Sequence, residues 1–272
     1  MEIVIKPKNK WWQFDWKEIW QFRDLFYFFT WRDVKVRYKQ TAIGVLWAIF
    51  QPFITMVVFT VFFGGLAKMP SDGVPYPIFV YVGLLFWTLF STGLSQASDS
   101  FVQNEKIVTK VYFPRVILPV SSIITSVIDF LVASLILIGM MAWYHYMPSP
   151  LGILLVPVLL VMTIFSTMGI GLLFSSLNVK YRDVRFVLPF FIQLLMFLTP
   201  VIYPVSIAPL GYRWLLGLNP MSGVIDTARS LLLGAAPINW SLLGVSVVSM
   251  LVYCIFGYFY FKKTEQYFAD VI

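Results

Sequence analysis

This chain is short of charge, thiols and imidazoles. Asp, Glu, Lys and Arg together make up 12% of its 272 residues, while 59% are hydrophobic and mean hydropathy is +0.81. A soluble globule of this length needs more polar surface than that, so an ordinary water-soluble domain is excluded. The one cysteine, Cys254, excludes an intramolecular disulfide and a thiolate metal cluster, and reads as a packing residue. The one histidine, His145, leaves no His cluster, and no Ser/His/Asp set or acidic pair on one span can be assembled; neither catalysis nor a metal site is expected of this chain. A GxxxxGK[ST] phosphate loop is also missing, since Gly64 and Gly65 before Lys68 stand in the wrong pattern.

What the chain has instead is long apolar runs bounded by Pro, Gly or charge: Thr41 to Ala67, Pro77 to Gln96, Val116 to Trp143, Leu151 to Leu177, Val184 to Tyr203 and Leu242 to Phe261. Runs of this length cross a bilayer core of about 30 Å, which predicts an all-α integral membrane protein with six transmembrane helices. Six spans put both termini on one side. Calling that side cytoplasmic places 17 of the 20 Lys and Arg residues inside, with only Lys68, Arg213 and Arg229 outside. The net charge of +7 and pI of about 9.4 then reflect topology and attraction to anionic membrane lipids, not nucleic-acid binding. Lys6, Lys8 and Lys10 without a following short apolar core predict no cleavable signal peptide. The chain divides into an N-terminal segment, 1–40, and a six-span domain, 41–272.

Within the N-terminal segment, Trp11, Trp12, Phe14, Trp16, Trp20, Phe22, Phe26 and Phe29 alternate with Lys17, Arg23, Arg32, Lys35, Arg37 and Lys39. Aromatic and basic residues at helical spacing predict an amphipathic helix in the headgroup region; a cytoplasmic helix packed on a partner is the other reading. Pro52 predicts a kink in the first span. Between spans five and six, residues 204–241 stay largely apolar but are broken by Pro204, Pro209, Pro220 and Pro237. Asn219 or Ser222 caps a short helix ending at Gly234, and the segment reads as short re-entrant helices forming an external gate.

Two internal loops carry more than charge. Residues 98–115 set Phe101, Val102, Ile107 and Val108 against Gln103, Glu105, Lys106 and Lys110 at helical spacing, and residues 176–185 include Lys180, Tyr181, Arg182, Asp183 and Arg185. The positive-inside rule accounts for the charges. Apolar residues on short loops point to a docking surface, with Phe101 to Lys110 moving as one rigid helix. Asp129 lies near the middle of the third span with Ser126 and Ser122 on its face, either lining a polar path or hydrogen-bonded to a neighbouring span. Aromatics make up 18% of the chain. Trp47, Phe50, Phe59, Phe62 and Phe63 of the first span, Phe79, Phe86, Trp87 and Phe90 of the second, and Phe190, Phe191 and Phe197 of the fifth lie deeper than an interfacial belt. They pack against lipid and other helices, or offer stacking faces to sugar rings.

The segments Trp31 to Thr41 (WRDVKVRYKQT), Gly44 to Ala48 (GVLWA), Lys110 to Arg115 (KVYFPR), Asn178 to Asp183 (NVKYRD) and Asn219-Pro220-Met221 resemble those of ABC-type polysaccharide export permeases over nearly the whole length. That resemblance implies a homodimer in the bacterial inner membrane with two copies of a separate cytoplasmic ATPase, which holds the ATP and Mg; this chain carries no cofactor. It implies docking of the first internal loop on the ATPase, and a substrate of undecaprenyl-diphosphate-linked O-antigen polysaccharide, with teichoic-acid permeases as near relatives. Arg32, Lys35, Arg37 and Lys39 are then expected at the diphosphate head group, and Trp47, Phe50, Phe59, Phe62, Phe190, Phe197 and Asp129 along the channel. A lipid or small-molecule exporter, a membrane enzyme and an ATP-independent transporter are the competing classes.

Overall fold

A computed structural model describes residues 16–39, 44, 46–181 and 183–268. Among these the chain is helical throughout, with no strand. Five helices are long and apolar enough to cross a membrane, and a sixth apolar helix is shorter. The helices are α1 (Trp16–Gln21), α2 (Arg23–Lys39), α3 (Leu46–Phe59), α4 (Tyr76–Gln103), α5 (Glu105–Val108), α6 (Ile117–Trp143), α7 (Pro150–Lys180), α8 (Val184–Leu198), α9 (Arg213–Leu216), α10 (Pro220–Leu233) and α11 (Trp240–Thr264).

Local chemistry sets the helix starts. Ser149 precedes Pro150 and accepts from the Gly152 N–H at 2.9 Å; Asn219, not Ser222, precedes Pro220 and accepts from the Met221 N–H at 3.0 Å. Each places an oxygen on an amide that the helix itself cannot satisfy, and a proline where no amide is needed. At the other end of α10, Gly234 takes φ 62°, the left-handed cap that a side chain would strain. Pro52 interrupts α3, which continues beyond Phe59 as a π-helix, Thr60–Leu66.

The bundle is centred on α4. Ile78, Val80, Val82, Phe86, Phe90 and Leu94 are fully buried, and α6, α7, α10 and α3 surround it. A helix apolar on all faces belongs inside. The α7–α11 contact depends on glycine: a Cβ on Gly257 would collide with the Gly169 carbonyl, and one on Gly169 would lie 2.6 Å from the Cys254 nitrogen. Small residues let backbones meet in a setting where lipid offers no hydrophobic drive between helices.

At 31 and 28 residues, α7 and α4 run about 46 and 42 Å, beyond the apolar core, so their ends project from it. Consequently the second internal loop shrinks to residues 181–183, since helix extends through Lys180 and resumes at Val184. By contrast α8 has 15 residues, about 22 Å, and the predicted fifth span ends early at Leu198. Residues 199–219 turn back over the bundle, and α10 is buried against α4, α7 and α11.

Candidate functional site

The first internal loop is rooted in the chain's own second core. Phe101 packs on Phe268 and Phe261 at ring distances of 4.9 and 5.9 Å, and Phe29 of α2 meets Phe113 at 5.8 Å. Val108 is buried in the same cluster. The expectation that Phe101 and Val108 face outward is therefore corrected: their apolar surface is consumed by α2 and the end of α11. Nor is Phe101 to Lys110 one rigid helix, because α4 stops at Gln103 and the chain turns at Asn104 before α5. The exposed residues of the loop include Glu105, Lys106, Lys110, Val111 and Tyr112, with Val102 and Ile107 half-buried. In the second loop Tyr181 and Asp183 are exposed and Lys180 lies over the Tyr181 ring at 5.0 Å. Arg182 lies outside the described residues, as do Lys6, Lys8, Lys10, Trp11, Trp12, Phe14 and Thr41. Asn178 ties this loop to the first, donating to the Ser98 carbonyl and to Asp99, both at 3.0 Å.

The four cations assigned to a head group do not converge. Arg32 is committed inward, to Asn104 Oδ1 at 2.8 Å and Asp33 at 2.7 Å, with its guanidinium over Phe29. Lys35 and Lys39 are exposed. Arg37, two residues on from Lys35 and so about 200° around the helix, points at α6 and forms an ion pair with Asp129. The neighbouring Tyr38 hydroxyl donates to the other Asp129 oxygen. Burial, and then this hydrogen bond, push the Tyr38 hydroxyl well above the usual phenol range, so it stays a donor. Asp129 is twelve residues into α6, about 18 Å along it, so α2 rises beside that span and does not end at its foot. Asp129 also borders a cavity of about 510 Å³ between α2, α3, α4 and α6.

The aromatic set separates by location. Phe79, Phe86, Trp87 and Phe90 of α4 are buried in the bundle, and the cavity beside Asp129 meets α4 at other residues, Leu85, Thr88, Leu89, Thr92 and Gln96. Phe59 is half-buried against Phe63, their rings 5.5 Å apart, and Phe191 against Phe174 at 5.4 Å. Trp47, Phe50 and Phe62 remain exposed along one stripe of the first span, and Phe190 and Phe197 on α8.

Sequence reading placed a short capped helix before Gly234 but gave Arg229 no role. Arg229 of α10 is 2% exposed. Its guanidinium donates to the carbonyls of Phe79 (3.0 Å), Pro200 (2.6 Å) and Val201 (2.6 Å) and lies over the Phe79 ring. A Cβ on Gly83 would come within 2.6 Å of it. Tyr76 donates to the Ile202 carbonyl at 2.8 Å, and Asn219 to Thr199 at 2.6 Å, so the turn after α8 is held from three sides. A cation in a short helix that is half apolar, three residues after Asp226, was the available signal. Among the described residues no cluster of His, Cys, Asp and Glu is suited to a metal.

Residues 24–233 match the family model described as ABC-2 type transporter. "O-antigen export system permease protein RfbA" of Klebsiella pneumoniae is 26% identical over 249 residues, covering 92% of this chain and 95% of that protein. The protein of the same name from Myxococcus xanthus is 29% identical over 218 residues, 79% and 82% of the two chains. "Polysialic acid transport protein KpsM" of Escherichia coli is 24% identical over 205 residues, 73% and 77%.

Proposed function

We propose, from the premise that this chain belongs to the ABC-2 type transporter family, that it is the permease of an ATP-driven exporter moving undecaprenyl-diphosphate-linked O-antigen polysaccharide across the bacterial inner membrane. The observation that carries this reading is the division of aromatics: α4 buries Phe79, Phe86, Trp87 and Phe90, whereas the first span and α8 leave Trp47, Phe50, Phe62, Phe190 and Phe197 exposed among the described residues. Two copies, set with these stripes facing, enclose a path walled by Trp47, Phe50, Phe62, Phe190 and Phe197. Aromatic faces stack on the C–H faces of sugars and tolerate a moving polymer. The resemblance to O-antigen permeases supports the substrate class.

Energy comes from two copies of a partner ATPase, which supply ATP and Mg. The partner docks on Glu105, Lys106, Ile107 and Lys110, with Val102 behind them, and on Lys180, Tyr181 and Asp183. Because this surface is rooted in the Phe101–Phe261–Phe268 cluster, a push on it reaches α2 and α11 together. Lys35 and Lys39, on the exposed side of α2 as it rises beside α6, meet the diphosphate head group, and α10 with the turn above it forms the outer gate.

The test is isolation of the chain from its native membrane in gentle detergent, alongside a deletion strain analysed for polymer. A stoichiometric ATPase partner, and polymer that accumulates inside and vanishes from the surface, is the expected result. Accumulation of a polyol-phosphate polymer moves the substrate to teichoic acid. Loss of a lipid or small-molecule export with normal polymer overturns the reading.

A further inference from the structure

The cavity beside Asp129 lies behind α3, between α4 and α6 and beside the end of α2, and Trp47 of the exposed stripe forms part of its wall. Its chemistry is set by one carboxylate and two donors. Arg37 takes Asp129 Oδ2 and Tyr38 takes Oδ1, so successive residues of one helix aim a guanidinium and a hydroxyl at the two oxygens of a single anion. The same pair of donors fits two oxygens of a phosphate, for which a guanidinium is a directional partner. Asp129 occupies the seat of an oxyanion.

Neutral polar groups line one part of the rest, Gln51, Thr92, Gln96 and Ser126, and an apolar wall that includes Leu85, Leu89 and Phe130 lines another. Ser126 stands one turn before Asp129 on α6 and donates to Gln96 at 3.2 Å. A carboxylate released from Arg37 therefore has hydroxyl and amide donors within the same cavity. A carboxylate in an apolar span that kept no partner would be costly.

We propose that this cavity is a binding site for a diphosphate group and that Asp129 is its internal competitor: the ligand's oxygens take Arg37 and Tyr38, and departure of Asp129 unties α2 from α6. Resting on the export reading above, the occupant is the head group of the lipid-linked substrate, met first by Lys35 on the exposed face of α2 and then, further along the helix, by Arg37 on its inner face. Loading and release of α2 are one exchange of anions.

The test uses the full chain with its ATPase in lipid nanodiscs, titrated with polyprenyl diphosphate, with the same polyprenol lacking phosphate, and with inorganic pyrophosphate. Arg37→Gln is expected to weaken polyprenyl diphosphate binding about tenfold or more and Tyr38→Phe about threefold, whereas Asp129→Asn strengthens it about threefold or more by removing the competing charge. Polyprenol binding stays unmoved by all three. If pyrophosphate follows this order while polyprenyl diphosphate does not bind, the phosphate site stands and the lipid-linked substrate falls. Equal losses in Arg37→Gln and Asp129→Asn, or no change in either, overturn the proposal and leave a structural ion pair. Should Arg37→Gln not assemble, Tyr38→Phe set against Asp129→Asn decides it, since only the competitor mechanism gives them opposite signs.

Discussion

In the most apolar stretch of α4, 78% of the residues are buried inside the chain; in that of its neighbour α3, 11% are. Both helices are rich in Phe and Trp, and both are long enough to cross a bilayer. What separates them is the ring of neighbours. Helices α6, α7 and α10 enclose α4, whereas α3 touches the bundle along Pro52, Met56 and Phe59 and shows a stripe from Leu46 to Phe62 outward. Apolarity alone does not sort inside from outside in a membrane, because lipid is as apolar as leucine. Buried polar contacts and close backbone approach do the sorting, and these concentrate around α4, α7, α10 and α11.

That contrast is broken most directly at Arg229. Arg229→Met is expected to cost about 3–5 kcal/mol, because three carbonyls lose their donor in an apolar setting; denaturation of the detergent-solubilised chain measures it. Next, Phe101→Ala is expected to cost about 3 kcal/mol through the cavity left in the Phe101–Phe261–Phe268 cluster, and to lower ATP-coupled transport even where the partner still co-purifies. Gly169→Val forces a side chain between α7 and α11 and is expected to cost about 1–3 kcal/mol, read as a lower melting temperature. Finally, Phe62→Ala and Phe190→Ala are expected to change the stability of the isolated chain by less than about 0.5 kcal/mol while reducing polymer export. A loss there as large as at Arg229 would mean that α3 and α8 are held by the single chain.

Most of the architecture was legible because hydropathy and punctuation are local signals. The long apolar runs lie where helices form, and the caps at Asn219 and Gly234 follow from residue type and position. The misplacements are non-local. Phe101 and Val108 read as outward-facing since amphipathic spacing reports that a face is apolar, not whether the chain's own C-terminal end covers it. The fifth span was drawn through Tyr203 because Thr199 to Tyr203 is apolar in composition, yet its carbonyls are claimed by Arg229, Tyr76 and their neighbours. The pairing of Asp129 with Arg37 joins residues 92 apart. No spacing rule connects them.

Arg229 also orders events in time. The turn carbonyls at Pro200 and Tyr203 are made 29 and 26 residues before the guanidinium that satisfies them, and Phe79 precedes it by 150. During synthesis Phe79 and the turn after α8 are made before α10, so their carbonyls gain the Arg229 donor only once α10 has been made. The turn after α8 is thus completed by one side chain made after it, and α11, which packs on α10, is made later still.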